Sequence, residues 1–226
     1  DPDRLSSPQL EVSGETYRHL FRARRVAVGE RLRVVDGEGR ARFGEVAAVG
    51  RSSALVTLGA PAPAAEPDLR VDLLTATLKP ERAAWLVEKA TEVGVHAIHF
   101  LHTARAPRTF GDGTVERLRR IAAAAVEQCG RSRLPQVTGT HSWQEVGRLT
   151  EGFADRRLLD TNPGEVAPPE AATRRVALLV GPEGGWTAEE REELAASGWR
   201  AVGLGPRVLR TETAGVLSVA RLLLGS

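Results

Sequence analysis

Residues 175–190 read RVALLVGPEGGWTAEE, and this stretch decides the fold. The unbroken apolar run at 176–180 marks a strand buried on both faces. Three glycines and a proline at 181–185 then let the backbone turn sharply and approach a ligand closely. Thr187 and Glu190 stand at capping-box spacing, so a helix starts directly behind the turn. Strand, tight turn and helix in succession are the building pattern of a parallel sheet.

The same rhythm extends in both directions. Residues 71–78 form an apolar strand, and Pro80 stands where a first helical turn tolerates proline. Trp85, Leu86, Lys89, Ala90 and Val93 follow at helical spacing, and Gly94 stops that helix. A strand at 95–101, a helix at 115–129 and a buried strand at Leu158 and Leu159 come next. Beyond the opening stretch, a short strand at 201–204 runs through a second glycine-bearing loop into an apolar helix at 214–224. A parallel sheet covered by helices is expected over residues 67–226. The stretch GAPAPAAEP at 59–67 is a stiff, extended connector. Before it, Leu32 and Val34, then Ala54, Val56 and Leu58, alternate as in strands, and DGEG at 36–39 is a hairpin-type turn. A short helix over 16–24 places Tyr17, Leu20 and Phe21 on one face. Residues 1–66 are therefore expected to form a small β-barrel or sandwich.

Composition narrows the chemistry. The chain has 226 residues, with 31 Lys and Arg against 29 Asp and Glu, and only Lys79 and Lys89 are lysines. Arginine offers a planar, always-charged fork suited to phosphate. At 42% hydrophobic and 27% charged residues the chain is not disordered. No apolar run reaches the ~20 residues needed to span a bilayer. Residues 1–10 are polar and acidic, without a signal-peptide pattern, so a soluble cytoplasmic protein is expected. The single cysteine, Cys129, excludes an internal disulfide and a cysteine zinc site. The five histidines show no ligand spacing on a shared helix, and no metal is expected. His96 and His99 read as lying on opposite sides of a strand. Neither lysine follows a glycine, which excludes a P-loop, and Val208 occupies the third-glycine place of a dinucleotide fingerprint begun at Gly203.

In open parallel sheets ligands bind beyond the carboxyl ends of the strands. The loops there are GPEGG at 181–185, LGPRVLRTETA at 204–214 and DTNPG at 160–164. GPEGGW (181–186) followed by LGPRVLRTETA resembles the carboxyl-terminal signature of the ribosomal RNA small-subunit methyltransferase E family, of the SPOUT class. WLVEKATEVGV (85–95), EQCGRSRLPQV (127–137) and RHLFRARRVAVGERLRVVDGEG (18–39) agree with it in the same order, so the resemblance spans nearly the whole chain. Val208 replaces the family's usual isoleucine, and Ala23, Arg24 and Arg25 bring charge to a place usually apolar.

The resemblance implies an S-adenosylmethionine-dependent methyltransferase acting on N3 of a uridine in 16S ribosomal RNA of the small subunit. It further implies a trefoil knot in the α/β domain, a homodimer, and a PUA-like amino-terminal β-barrel that holds RNA. On this reading Thr161, Gly181, Pro182, Glu183, Gly184, Gly185, Leu204, Gly205, Val208, Leu209, Arg210 and Thr213 enclose the methyl donor. Uridine N3 is a poor nucleophile until its proton leaves, and Glu183 or Glu212 is the candidate acceptor. Arg210 is the candidate to stabilise charge on the uracil oxygens. Arg18, Arg22, Arg24, Arg25, Arg131 and Arg133 are the candidate RNA contacts; residues 101–135 carry seven arginines against three acids. A catalytically inactive RNA-binding ribosome-assembly factor is the alternative reading.

Overall fold

The computed structural model describes residues 5–106, 108–160 and 172–224. The chain forms two compact units, Asp1–Glu66 with Gly130–Leu134, and Pro67–Cys129 with Pro135–Ser226. The division is thus not one cut after residue 66, because Gly130–Leu134 joins the first unit.

In the first unit, β1 (Gln9–Ser13), β2 (Arg31–Val35), β3 (Ala41–Val49) and β4 (Ser53–Pro61) form an antiparallel sheet in the order β1-β4-β3-β2. Among the described residues β1 and β2 do not pair with each other, so the sheet is open rather than the expected closed barrel. Val46, Val56 and Leu58 face a core completed by Tyr17 and Phe21, whose rings stack at 5.4 Å. Those aromatics come from α1 (Gly14–Tyr17) and a π-helical segment, Arg18–Ala23, in place of the regular helix expected over 16–24. β4 continues through Pro61, so a third of the proline-rich connector is strand; Pro61 faces Arg42 at the end of the pairing, where its missing N–H costs little.

Glu66 fastens the distant segment Gly130–Leu134. Its Oε1 accepts the backbone N–H groups of Ser132 (2.8 Å) and Arg133 (2.7 Å), and its Oε2 accepts from Arg131 Nη2 at 2.8 Å. Burial acts to raise the Glu66 carboxyl. The Arg131 guanidinium and the two backbone donors outweigh it and hold the group below its ordinary value. Arg131 is itself 4% exposed.

In the second unit all six strands are parallel: β5 (Arg70–Ala76), β6 (Ala97–Leu101), β7 (Gln136–His141), β8 (Asp155–Leu159), β9 (Arg175–Val180) and β10 (Arg200–Val202), in the order β10-β8-β9-β5-β6-β7. α2 (Pro80–Glu92), α3 (Asp112–Cys129) and α6 (Thr211–Leu223) cover one face, burying Leu86, Leu118 and Val219 against Leu73, Ile98 and Leu178. α4 (Val146–Leu149) and α5 (Ala188–Ala196) cover the other, where Val146 and Leu194 meet Leu74, Leu158 and Leu179. The chain steps outward from β5 through β6 to β7, then fills the opposite side with β8, β9 and β10. That reversal gathers the carboxyl ends of β8, β9 and β10 at one edge.

A polar chain runs across the β6–β7 edge. His99 Nδ1 lies 2.9 Å from Thr138 Oγ1, which lies 2.8 Å from His141 Nε2. His96 precedes β6, and its Nδ1 meets Asp72 Oδ1 at 2.9 Å, so the strand alternation expected of His96 and His99 does not apply. Burial pushes His99 down to about 4, with His141 and His96 adding to the effect and Asp72 opposing it.

Two outcomes follow from these buried groups. Glu66→Gln should destabilise the chain by about 3 kcal/mol in urea titration, because it leaves Arg131 buried without its charge partner. His99 is held neutral, with a folded value below its ordinary 6.5, so its contribution is complete above that value and is lost as the pH falls toward 4. Stability at pH 5 should be about 2 kcal/mol below that at pH 7, and His99→Gln should flatten that slope.

Candidate active site

Gly181, the first residue after β9, accepts no side chain. A Cβ there would lie 2.8 Å from Trp186 Cε2, because the indole is folded back against the strand end. Trp186 is 2% exposed, and its Nε1 donates to Leu159 O at the end of β8 (3.3 Å). The turn between them closes with Gly185 N donating to Pro182 O at 2.8 Å, and Gly185 adopts φ +71°, a conformation that favours glycine. Behind it, Thr187 Oγ1 accepts from Glu190 N at 3.1 Å while Glu190 Oε2 accepts from Thr187 N at 2.9 Å, the capping box legible in the sequence.

The second loop, 203–210, approaches the first from β10, turning at Gly205 with φ +95°. Thr211, the first residue of α6, donates its hydroxyl to Gly181 O at 2.8 Å and ties the two loops together. On the β8 side Arg191 Nε meets Asp160 Oδ2 at 2.9 Å, and Arg191 Nη1 donates to Trp186 O at 3.1 Å.

Between these loops lies a cleft that opens to solvent. Of the residues expected from the sequence, Gly181, Pro182, Glu183 and Gly185 line it from the first loop, and Leu204, Gly205, Val208 and Leu209 from the second. Leu159, Asp160, Val180, Trp186, Arg191, Arg207, Thr211 and Ala214 complete the wall. Trp186 and Thr211 belong to the quoted motifs but have no role assigned from the sequence; Arg191 carries no signal beyond its helix.

Other expected residues stand elsewhere. Gly184 does not line the cleft; its carbonyl accepts from Arg105. Arg210 is exposed at the N-cap of α6 and Thr213 is half-buried in that helix, neither on the cleft wall. Thr161 lies outside the described residues. Glu183 and Glu212 converge on a side chain the sequence reading passed over: Arg82, in the first turn of α2, pairs with Glu183 through Nη1 and stands 3.6 Å from Glu212 Oε1 through Nε. Glu212 is buried and Glu183 exposed. Among the arginines expected to bind RNA, Arg18, Arg22, Arg24 and Arg25 are exposed, Arg133 is half-buried beside Gly39, and Arg131 is committed to Glu66. A buried, paired guanidinium does not reach a phosphate, so Arg131 is a structural residue.

A family model described as an RNA methyltransferase domain matches residues 65–223, and one described as an RNA methyltransferase PUA domain matches residues 12–59. Ribosomal RNA small subunit methyltransferase E of Mycobacterium bovis is 32% identical over 92% of this chain and 83% of its own. The chain belongs to the ribosomal RNA small subunit methyltransferase E family. The Bacillus subtilis member is 27% identical over 96% of this chain and 90% of its own. The crystal structure of the Neisseria gonorrhoeae member bound to S-adenosyl methionine superposes with a TM-score of 0.85 at 25% identity, covering 94% of this chain and 90% of that one. A Legionella pneumophila structure with bound cofactor SAM gives 0.81 at 28% identity, covering 96% and 92%.

The cleft's construction fits the ligand of those neighbours. Main-chain groups of two glycine turns offer hydrogen bonds to the edge of a planar base, while Leu204, Val208 and Leu209 offer apolar contact to its faces. Gly181→Ala must displace the Trp186 indole. The variant should shift tryptophan emission and weaken S-adenosylhomocysteine binding at least tenfold by calorimetry; wild-type affinity would show that the indole does not shape the cleft.

Proposed function

We propose that this member of the family transfers a methyl group from S-adenosylmethionine to N3 of a uridine in 16S ribosomal RNA of the small subunit. The observation that carries the reading is the pairing of the two glycine loops around one cleft at the carboxyl ends of β8, β9 and β10. The SAM-bound relatives, alike over nearly their whole length, support it.

S-adenosylmethionine, when bound, supplies an electrophilic methyl carbon on a positively charged sulfur. The protein's task is then positioning and proton removal. The loops at 181–185 and 204–209 hold the donor, Trp186 keeps water from its apolar side, and the carboxylates Glu183 and Glu212 stand next to the cleft for the proton of N3. The target base has to be unpaired or flipped to enter. Arg18, Arg22, Arg24 and Arg25 contact RNA phosphate from the PUA-matched unit, and Arg133 belongs to the same unit. We further take the protein to act in the cytoplasm as a homodimer, with a trefoil knot in its α/β unit. Among the described residues no helix is long and apolar enough to cross a membrane.

Calorimetry with S-adenosylhomocysteine should give one site per chain, and the protein should transfer labelled methyl to small subunits lacking the modification. N3 methylation blocks the Watson–Crick edge, so reverse transcription should stop at one uridine after treatment. Absence of both binding and transfer would instead favour the RNA-binding assembly factor.

A further inference from the structure

We propose that Arg82 and Glu212 form the receptor for the uracil imide, with Glu212 Oε2 as the atom that takes the N3 proton and Arg82 as the donor to a flanking carbonyl oxygen. The inference rests on the methyltransferase reading and assigns the acceptor half of that site. Its starting point is an imbalance in the hydrogen bonding. The Glu212 side chain is 9% exposed, Oε1 faces Arg82, and Oε2 is buried with no hydrogen-bond partner among the described residues. An ionised carboxylate only accepts, so an oxygen without a donor has hydrogen-bonding capacity left for an incoming N–H.

The surroundings specify which N–H. Glu212 directly follows Thr211, which lines the cleft and bonds Gly181, so the vacant oxygen belongs to the turn of α6 that borders the donor loops. Arg82 is one-third exposed and directs two N–H groups at Glu183 and Glu212; other donors of the same fork remain for a ligand oxygen. A guanidinium beside a carboxylate presents donor and acceptor side by side. Uracil presents the complement, a carbonyl oxygen beside N3–H. Cytosine presents an unprotonated N3, which would set acceptor against acceptor at Oε2, so the pair also selects the base.

Glu183 is the weaker candidate because its carboxylate is exposed and already held by Arg82. In the reaction N3 bonds to the methyl carbon as the carbon–sulfur bond breaks with its electron pair on sulfur. The N3 proton passes to Oε2, leaving a neutral thioether and a carboxylic acid where a cation and a carboxylate stood. The charge that builds on the uracil oxygens during this step meets Arg82. The charged groups set against Glu212 are Arg82 from α2 and, through it, Glu183 from the loop after β9.

The test compares wild type, Glu212→Gln, Glu183→Gln and Arg82→Gln for S-adenosylhomocysteine affinity, thermal midpoint, and single-turnover methyl transfer to unmodified small subunits across a pH series. Glu212→Gln should keep its affinity within about twofold and lose at least a hundredfold in transfer rate at pH 7. That deficit should shrink at alkaline pH, where the imide loses its proton unaided. Arg82→Gln should lose about tenfold or more in rate with affinity intact, and Glu183→Gln less than tenfold. Near-wild-type transfer by Glu212→Gln, a deficit unchanged by pH, or a larger loss in Glu183→Gln would overturn the assignment. Should Glu212→Gln fail to fold, Arg82→Gln decides, since unchanged transfer there removes the receptor. If wild type neither binds S-adenosylhomocysteine nor transfers methyl, the methyltransferase reading falls instead, and the two failures are thereby distinguished.

Discussion

The candidate site depends on the absence of a side chain at Gly181. Because nothing projects there, the Trp186 indole lies flat against the end of β9 and reaches the carbonyl of Leu159 on β8. One aromatic residue thus seals the ends of two neighbouring strands, and the same Gly181 carbonyl accepts the Thr211 hydroxyl at the start of α6. Three separate stretches of chain are fixed around a residue that contributes only backbone. The cleft is the space left between them, and its shape follows from hydrogen bonds that are internal to the protein.

The parallel sheet sets where that space opens. All six strands point the same way, so their carboxyl ends lie at one edge, and the reversal at β5 brings the carboxyl ends of β8, β9 and β10 together. It also brings the first turn of α2, which follows β5, within reach of the same corner. Arg82 therefore meets Glu183 and Glu212 although more than a hundred residues separate it from either. The acceptor corner is a consequence of topology as much as of motif.

This explains what the sequence made legible. The glycine loops could be read because their chemistry is local: glycine, proline and a capping box announce a strand-to-helix turn whatever lies around them. The continuous apolar run of β9 and the mostly apolar stretches of β5 and β6 announced those strands for the same reason. β8 was read only at Leu158 and Leu159 because it opens with Asp155, Arg156 and Arg157, and Arg157 is wholly buried through its bonds to Asp155 at 2.6–3.1 Å. β7 was missed because QVTGTH carries a single large apolar residue; its polar side chains are satisfied by the His99–Thr138–His141 chain, an arrangement with no periodic signature. Arg131 looked like a phosphate contact among arginines, and only its distance in space to Glu66, not its neighbours in sequence, makes it structural.

The contrast between Arg131 and Arg82 carries the last step. Both are arginines paired with glutamate, and composition cannot rank them. Glu66 has its oxygens occupied by one guanidinium and two backbone N–H groups, so that pair is closed and serves to fasten a segment. Glu212 has one oxygen facing Arg82 and one buried without a hydrogen-bond partner among the described residues, in the helix turn whose Thr211 lines the cleft. A buried charge left half-satisfied is unfavourable for folding alone. Its persistence at the border of the donor loops is the physical ground for reading it as a site rather than as a fastening.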